Sequence, residues 1–410
     1  MNKNLKRRNT ISIEEKRAVN KVLETGILSD YLASDLEKFN GGKSVHKFEN
    51  KIKSFFNVKY AITFNSWTSG LIAAVGSLDL EHGDEIITSP FTMSACPFSI
   101  IFWNLKPVFA DIDKNTFCLN PKNVEKKITK KTRAIMLVDI NGHPSDIKSF
   151  KKIAKKHNLK LIIDAAQSIG AKYKDTNKFA GTVGDIGGFS LNVHKHINTG
   201  EGGIIVTNNK KLAIKAKLIR NHGENIADKL GKNFNHFYGF NFRMGEIEAA
   251  IGYEQLKKFP KILKNIQFKA KLLNNGLRGL KGLKVPDVYN ECTHAYYNYP
   301  LVLDLKKLKT NREKVVKNLK KQGVILGQGY LNLHLLPFFK KKNNKGIKKK
   351  FSDIMNKNLS DYQKGACPVA EELHAKTYFS IPICYYEYTI KDILRIIKSF
   401  KKVWKMSRWM

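Results

Sequence analysis

Apolar positions along the chain change their spacing in an ordered way. Over residues 13–23 and 46–56 they recur at helical spacing, and 60–64 is a short apolar run with strand character. A small polar turn, 65–70, then leads into the helix-prone stretch 71–78. The unit repeats. Residues 85–89, 107–110, 134–138 and 159–163 read as strands, separated by helices at 92–103, from 123–128 and at 146–156. Two more strands, 186–191 and 204–207, flank a glycine-rich turn. The pattern then predicts helices at 212–220 and 244–259, with Pro260 bending or ending the second, and a connecting helix at 261–280. Strands that alternate with helices predict a mainly parallel sheet covered on both faces. Ligands bind at the carboxyl ends of such strands, which places residues 65–69, 89–92 and 164–167 at the mouth. Beyond Gly282 the texture changes to short strands at 295–303 and helices at 312–322 and 390–404, with a lysine-rich loop at 340–350. The expected organisation is an N-terminal segment, 1–40, a large α/β domain, 41–270, and a smaller α+β domain, 271–410.

Composition narrows this picture. The 410 residues are 42% hydrophobic, enough for a large core, and no apolar run is long enough to span a bilayer. The first ten residues are basic but lack the apolar segment of a signal peptide. Five scattered cysteines show neither metal nor redox spacing. They read as reduced thiols in a cytoplasmic protein with no metal site. The formal charge of +38 comes from 63 lysines and only 10 arginines, spread along the whole chain. The densest runs, 340–342 and 348–350, carry no interleaved aromatics. This is a compositional bias toward lysine, without the arginine contacts of a specific nucleic-acid reader. Its field still draws in anionic metabolites.

Against that background Lys195 stands out. It sits between two apolar strands, with Thr199-Gly200-Glu201-Gly202-Gly203 beside it. A lysine among apolar neighbours either snorkels to solvent or holds a lowered pKa suited to Schiff-base chemistry. Asp164 ends the strand Leu-Ile-Ile-Asp. It reads as a helix cap or as a buried carboxylate that needs a cation, such as a protonated pyridine nitrogen. Gln167 is a cap or a donor to a phenolic oxygen. The turn Ser66-Trp67-Thr68-Ser69 opens a helix and offers hydroxyls and free N–H groups to a phosphate, or simply caps. Ser190, on the strand before Lys195, is a further candidate donor. Each signal is weak alone. Together they ask for one object with an aldehyde, a pyridine nitrogen, a phenol oxygen and a phosphate, which is pyridoxal 5′-phosphate.

The same residues carry a family resemblance. Asn65-Ser66-Trp67-Thr68-Ser69, Gly83-Asp84-Glu85, Asp111-Ile112-Asp113, Asp164-Ala165-Ala166-Gln167 and Phe189-Ser190 resemble the DegT/DnrJ/EryC1/StrS sugar aminotransferases. So do Lys195, the turn 199–203, Arg220-Asn221-His222-Gly223, Gly239-Phe240-Asn241-Phe242-Arg243-Met244 and Pro368-Val369-Ala370-Glu371. The resemblance is close over 41–259 and looser afterwards; the run 189–203 is its most specific part. It implies the fold type I architecture of pyridoxal-phosphate enzymes and a homodimer with two shared sites. It makes Lys195 the lysine that carries the cofactor and Asp164 the partner of the ring nitrogen. Gln167 falls near the phenolic oxygen, and Thr68, Ser190 and Asn241 hold the phosphate, Asn241 reaching in from the partner subunit. Substrates implied are a nucleotide-linked ketosugar and an amino-acid donor, L-glutamate, with pyridoxamine 5′-phosphate as the alternate cofactor form. The product belongs to cell-surface glycan or sugar-metabolite synthesis.

Two positions depart from the family. Met93 stands where relatives often stack an aromatic on the ring, and can pack there through its sulfur. Trp67 replaces a small residue and could supply an aromatic wall. One subgroup replaces the lysine with histidine and dehydrates a ketosugar. Here His194 and His196 flank Lys195, but counting back five from Gly200 gives Lys195, so transamination is the expected reaction. Dehydration on the same scaffold is the alternative, and a catalytically silent basic binding protein is a third reading. Arg243 is a candidate for the sugar diphosphate or for a structural ion pair.

Overall fold

The computed structural model describes residues 5–231, 234, 237–289, 291–340 and 362–406. The expected units appear in order. After α1 (Ile13–Thr25) and α2 (Lys43–Phe56) come β1 (Tyr60–Phe64), α3 (Trp67–Gly76), β2 (Glu85–Thr88), α4 (Ala95–Phe102) and β3 (Lys106–Phe109). Then follow α5 (Pro121–Glu125), β4 (Thr132–Val138), α6 (Ile147–His157), β5 (Lys160–Asp164) and a small hairpin, β6 (Lys172–Tyr173) with β7 (Lys178–Phe179). The large unit closes with β8 (Ile186–Ser190), β9 (Gly203–Thr207) and α7 (Lys210–Arg220).

Seven strands form one sheet in the order β1-β9-β8-β5-β4-β2-β3. The pairs from β8 to β3 are parallel, and β9 is antiparallel to both of its neighbours. Its residues are fully buried, so the two-residue alternation that marks a half-exposed strand is absent and direction is not written in the apolar run. Helices cover both faces. One layer packs Trp67, Leu71, Val75, Ile100 and Ile219 on the sheet. The other packs Phe48, Ile52, Phe56, Phe150 and Phe259. The architecture is the expected mainly parallel sheet flanked by helices on both faces, with a smaller α+β unit at its C-terminal side.

Two helices differ from expectation. Residues before Ala95 form a turn, because Pro97 has no N–H and fits an α-helix only within its first turn. The helices expected on either side of Pro260 are one 32-residue helix, α8 (Glu246–Leu277). Buried Leu256, Phe259, Ile266, Ala270 and Leu273 hold both sides of the proline, so tertiary packing offsets the lost hydrogen bond. The smaller unit holds the sheet β10 (Leu283–Lys284), β11 (Tyr299–Leu303) and β12 (Tyr378–Ile381), with α9 (Arg312–Lys321) and the helix Ile390–Met406 packed on it. The stretch 341–350 lies outside the described residues.

Candidate active site

The parallel strands carry their chemistry to one edge. β5 ends at Asp164, in register with Val138 of β4 and Gly188 of β8. Ser190 of β8 and Phe64 of β1 both pair with Gly203, so the turn at the start of α3 meets the end of β8. Ser66 caps α3 by accepting from the Ser69 N–H at 3.0 Å. Thr68, in the first turn, is exposed, while Ser190 is buried and accepts from the Asn192 N–H at 3.3 Å.

Asp164 is buried among donors. Trp67 Nε1 donates to its Oδ1 at 2.7 Å, the Ala166 N–H at 3.0 Å, and Cys96 Sγ donates to Oδ2 at 3.0 Å. None of the described ion pairs includes it. The indole therefore does not stand as an open wall: Trp67 is buried under Gly188, where an added Cβ would lie 2.3 Å from its ring and 2.0 Å from the Ile204 carbonyl.

Lys195 is 7% exposed. Its Nζ lies 4.4 Å from the centre of the Tyr297 ring, contributed by the smaller unit. Burial pushes its pKa down to about 8, and the attraction of Asp164 opposes part of that shift. The loop around it is tied from behind. Arg8 Nη2 donates to the carbonyls of Lys195 and His196 at 2.7 and 3.0 Å, and contacts Cys384 Sγ at 3.4 Å. The same N-terminal segment bonds to the last loop of the smaller unit, Arg8 N–H to the Tyr385 carbonyl and Glu387 N–H to the Lys6 carbonyl. His196 is buried, bonded to the Ala295 carbonyl, and held down to about 3 by burial and by Arg8. His194 is pushed down to about 4 by burial and the neighbouring Lys195.

Gln167 is buried, accepts from the Asn141 N–H at 2.8 Å and donates to Tyr330 Oη. Met93 and Asn241 are exposed. Asn241 pairs by a backbone bridge with Asn221, and no described contact of its side chain reaches Lys195, Asp164, Gln167 or Ser190. Arg243 donates from Nε to Asn221 Oδ1 at 2.8 Å and takes part in no described ion pair, which leaves its charge available to an anion. The structure thus brings Trp67, Asp164, Gln167, Ser190 and Lys195 to one strand edge and leaves Thr68, Met93 and Asn241 on exposed surface. Sequence reasoning missed Asn141, Cys96, Tyr297, Tyr330 and Arg8. Only Asn141 had a local signal, an Asn-Gly pair shortly after a strand.

Residues 14–360 match the DegT/DnrJ/EryC1/StrS aminotransferase family. The chain belongs to this family. It is 34% identical to the protein MJ1066 of Methanocaldococcus jannaschii over 94% of both chains. It is 31% identical to GDP-perosamine synthase of Escherichia coli O157:H7, covering 81% of this chain and 86% of that one. Helicobacter pylori PseC, an aminotransferase of pseudoaminic acid biosynthesis, superposes with a TM-score of 0.80 at 26% identity, over 98% of this chain and 99% of its own. Family membership makes the chain a pyridoxal-phosphate-dependent, sugar-modifying enzyme, aminotransferase or dehydratase. The residues present fit that cofactor. A buried carboxylate with only neutral donors suits a pyridinium, and a buried amine of lowered basicity suits an aldehyde. No described helix is long and apolar enough to cross a membrane.

Proposed function

We propose that the chain moves an amino group from an amino acid, L-glutamate, to a ketosugar carried on a nucleotide. The observation that carries this reading is the buried Lys195 amine set across from Asp164, a buried carboxylate outside every described ion pair. The relatives named for GDP-perosamine and for pseudoaminic acid support a sugar acceptor. Lysine rather than histidine at position 195 favours transfer over dehydration.

Bound pyridoxal phosphate supplies a carbonyl for amines and a ring that accepts the electron pair released at the donor Cα. The chain's residues do the rest. Lys195 would take the proton from the donor Cα and return it to the carbon on the far side of the shared nitrogen, and a pKa held down to about 8 by burial suits both directions. Asp164 keeps a proton on the ring nitrogen, held in place by Trp67, Cys96 and the Ala166 N–H. Gln167 would face the phenolic oxygen of the cofactor. Thr68, Ser190 and an Asn241 reaching in from a second subunit would hold its phosphate, and Arg243 would meet the sugar diphosphate. The Tyr297 ring limits water at the amine.

The deciding experiment is the visible spectrum of the purified protein before and after L-glutamate. The expected result is a yellow band that bleaches with glutamate, followed by amination of a nucleotide ketosugar detected by mass. Ammonia release without net transfer would establish dehydration instead, and a Lys195→Ala protein that still turned over would overturn the assignment of the lysine.

A further inference from the structure

The second half of α8 carries Lys258, Lys261, Asn265 and Lys269 at spacings of three and four residues, which sets them along one face of the helix. The segment that precedes α1, from Arg8 to Ser12, runs beside that face. Between them lies a groove of about 470 Å³. That is inside the range of small-molecule sites, about 300–1,000 Å³. Glu387 of the smaller unit is the one carboxylate among its lining residues.

The charges on that lining are unevenly met. Lys258 Nζ lies 2.6 Å from Glu15 Oε2 and 3.2 Å from Glu14 Oε2, so its charge is answered. Arg8, Lys261 and Lys269 belong to no ion pair among the described residues. Arg8 uses Nη2 on the carbonyls of Lys195 and His196, while Nη1 is buried with no hydrogen-bond partner among the described residues. Carbonyl dipoles satisfy a donor but leave the delocalised guanidinium charge without a counter-ion. Lys269 is half-buried, and burial together with the nearby Arg8 pushes its amine below the ordinary lysine value, which Glu387 and Asp392 only partly offset. The larger groove beside α1 and α2 lacks this imbalance, because Glu14, Asp30, Glu246 and Glu254 stand there among five lysine and arginine side chains.

We propose that the groove between the N-terminal segment and α8 binds a small molecule bearing a phosphate or diphosphate group, held by Arg8, Lys261 and Lys269. A multiply charged oxyanion offers acceptors to an arginine fork and to lysine ammonium groups at once. It also relieves the repulsion between Arg8 and Lys269. The site is separate from the strand edge that gathers Asp164, Gln167, Ser190 and Lys195, and Arg243 does not line it. Arg8 links the two places. A bound anion shares Arg8 with the carbonyls of Lys195 and His196. Negative charge brought near that loop favours the protonated state of the nitrogen that Lys195 contributes.

The test is calorimetric titration of inorganic pyrophosphate, at low salt, into the holoprotein, where the cofactor's own phosphate already fills its cradle. Binding should weaken about tenfold or more in the double variant Lys261→Gln, Lys269→Gln. Lys261 is exposed and Lys269 half-buried, so circular dichroism should stay native. Binding should persist in Arg243→Ala, and in Lys151→Gln, Lys152→Gln, a pair of exposed lysines on α6 that do not line the groove. Equal losses in the two lysine pairs would reduce the site to the general pull of a +38 chain. Loss in Arg243→Ala with the groove variant unaffected would place the diphosphate at the catalytic mouth. Either result, or no binding at all, would overturn the proposal. Saturating pyrophosphate should also raise the pH midpoint of the visible band in the wild-type protein and leave it in place in the groove variant. A wild-type midpoint that pyrophosphate does not move would overturn the link through Arg8.

Discussion

A lysine amine in water ionises near pH 10.4, whereas the fold holds Lys195 near 8 through burial. Between those values the unfolded chain binds the extra proton. The fold thus bears the full cost of the charged amine below about pH 8 and is relieved of it as pH climbs toward 10.5. The apoprotein should gain stability over that window relative to Lys195→Met, read as the urea midpoint at each pH. The rate at which the apoprotein traps pyridoxal phosphate, followed by borohydride reduction and mass, should rise through pH 8 and then level. Trp67 offers a separate test. Trp67→Phe keeps the ring under Gly188 but removes the N–H that reaches Asp164. Loss of one bond to a buried carboxylate is worth about 1.5–3 kcal/mol, and this bond is made within the fold itself, so the apoprotein's stability, read from its urea midpoint, should fall by about that amount. An unchanged midpoint would show that the indole N–H does not hold Asp164.

At the scale of elements, glycine explains why the mouth of the sheet is so tight. Gly188 leaves no room for a Cβ, so Gly188→Ala forces β8 away from β9 or Trp67 away from Asp164. Overpacking of this kind costs ~1–3 kcal/mol, which should appear as a lower denaturation midpoint and weaker cofactor binding together. Most strands were legible because their apolar runs sit between recognisable turns. The gathering of Lys195, Asp164, Gln167 and Ser190 at one strand edge was legible because each follows or ends an apolar strand run. The direction of β9 was not, since a fully buried run carries no face. Nor was the continuity of α8, where packing on both sides outweighs Pro260. Tyr297, Tyr330 and Arg8 reach the site from distant parts of the chain, and no local spacing announces such contacts.

At the scale of the whole molecule, Asn241 is exposed and Lys195 buried, and the proposed function has Asn241 serve the site of a second subunit. The shared-site reading predicts complementation. Lys195→Ala and Asn241→Ala are each expected to be inactive alone. Mixed after denaturation and renatured together, they form hybrids in which one site has both residues intact. An equal mixture should recover about a quarter of wild-type activity for a twofold dimer, measured as amine transfer. No recovery, with hybrids shown to form, would place Asn241 in its own subunit's site.

The tie made by Arg8 has a consequence for how the protein is made. It joins the ninth residue's neighbour to the lysine loop and to Cys384, and Cys384 lies 190 residues beyond His194 in the chain. At ~5–20 residues per second a ribosome needs roughly 10–40 s to cover that distance. Throughout that interval the large sheet can form, but the loop bearing Lys195 lacks the backing it has in the finished fold. Cofactor capture is therefore expected late in synthesis, and a nascent chain stalled short of Cys384 should leave pyridoxal phosphate in solution.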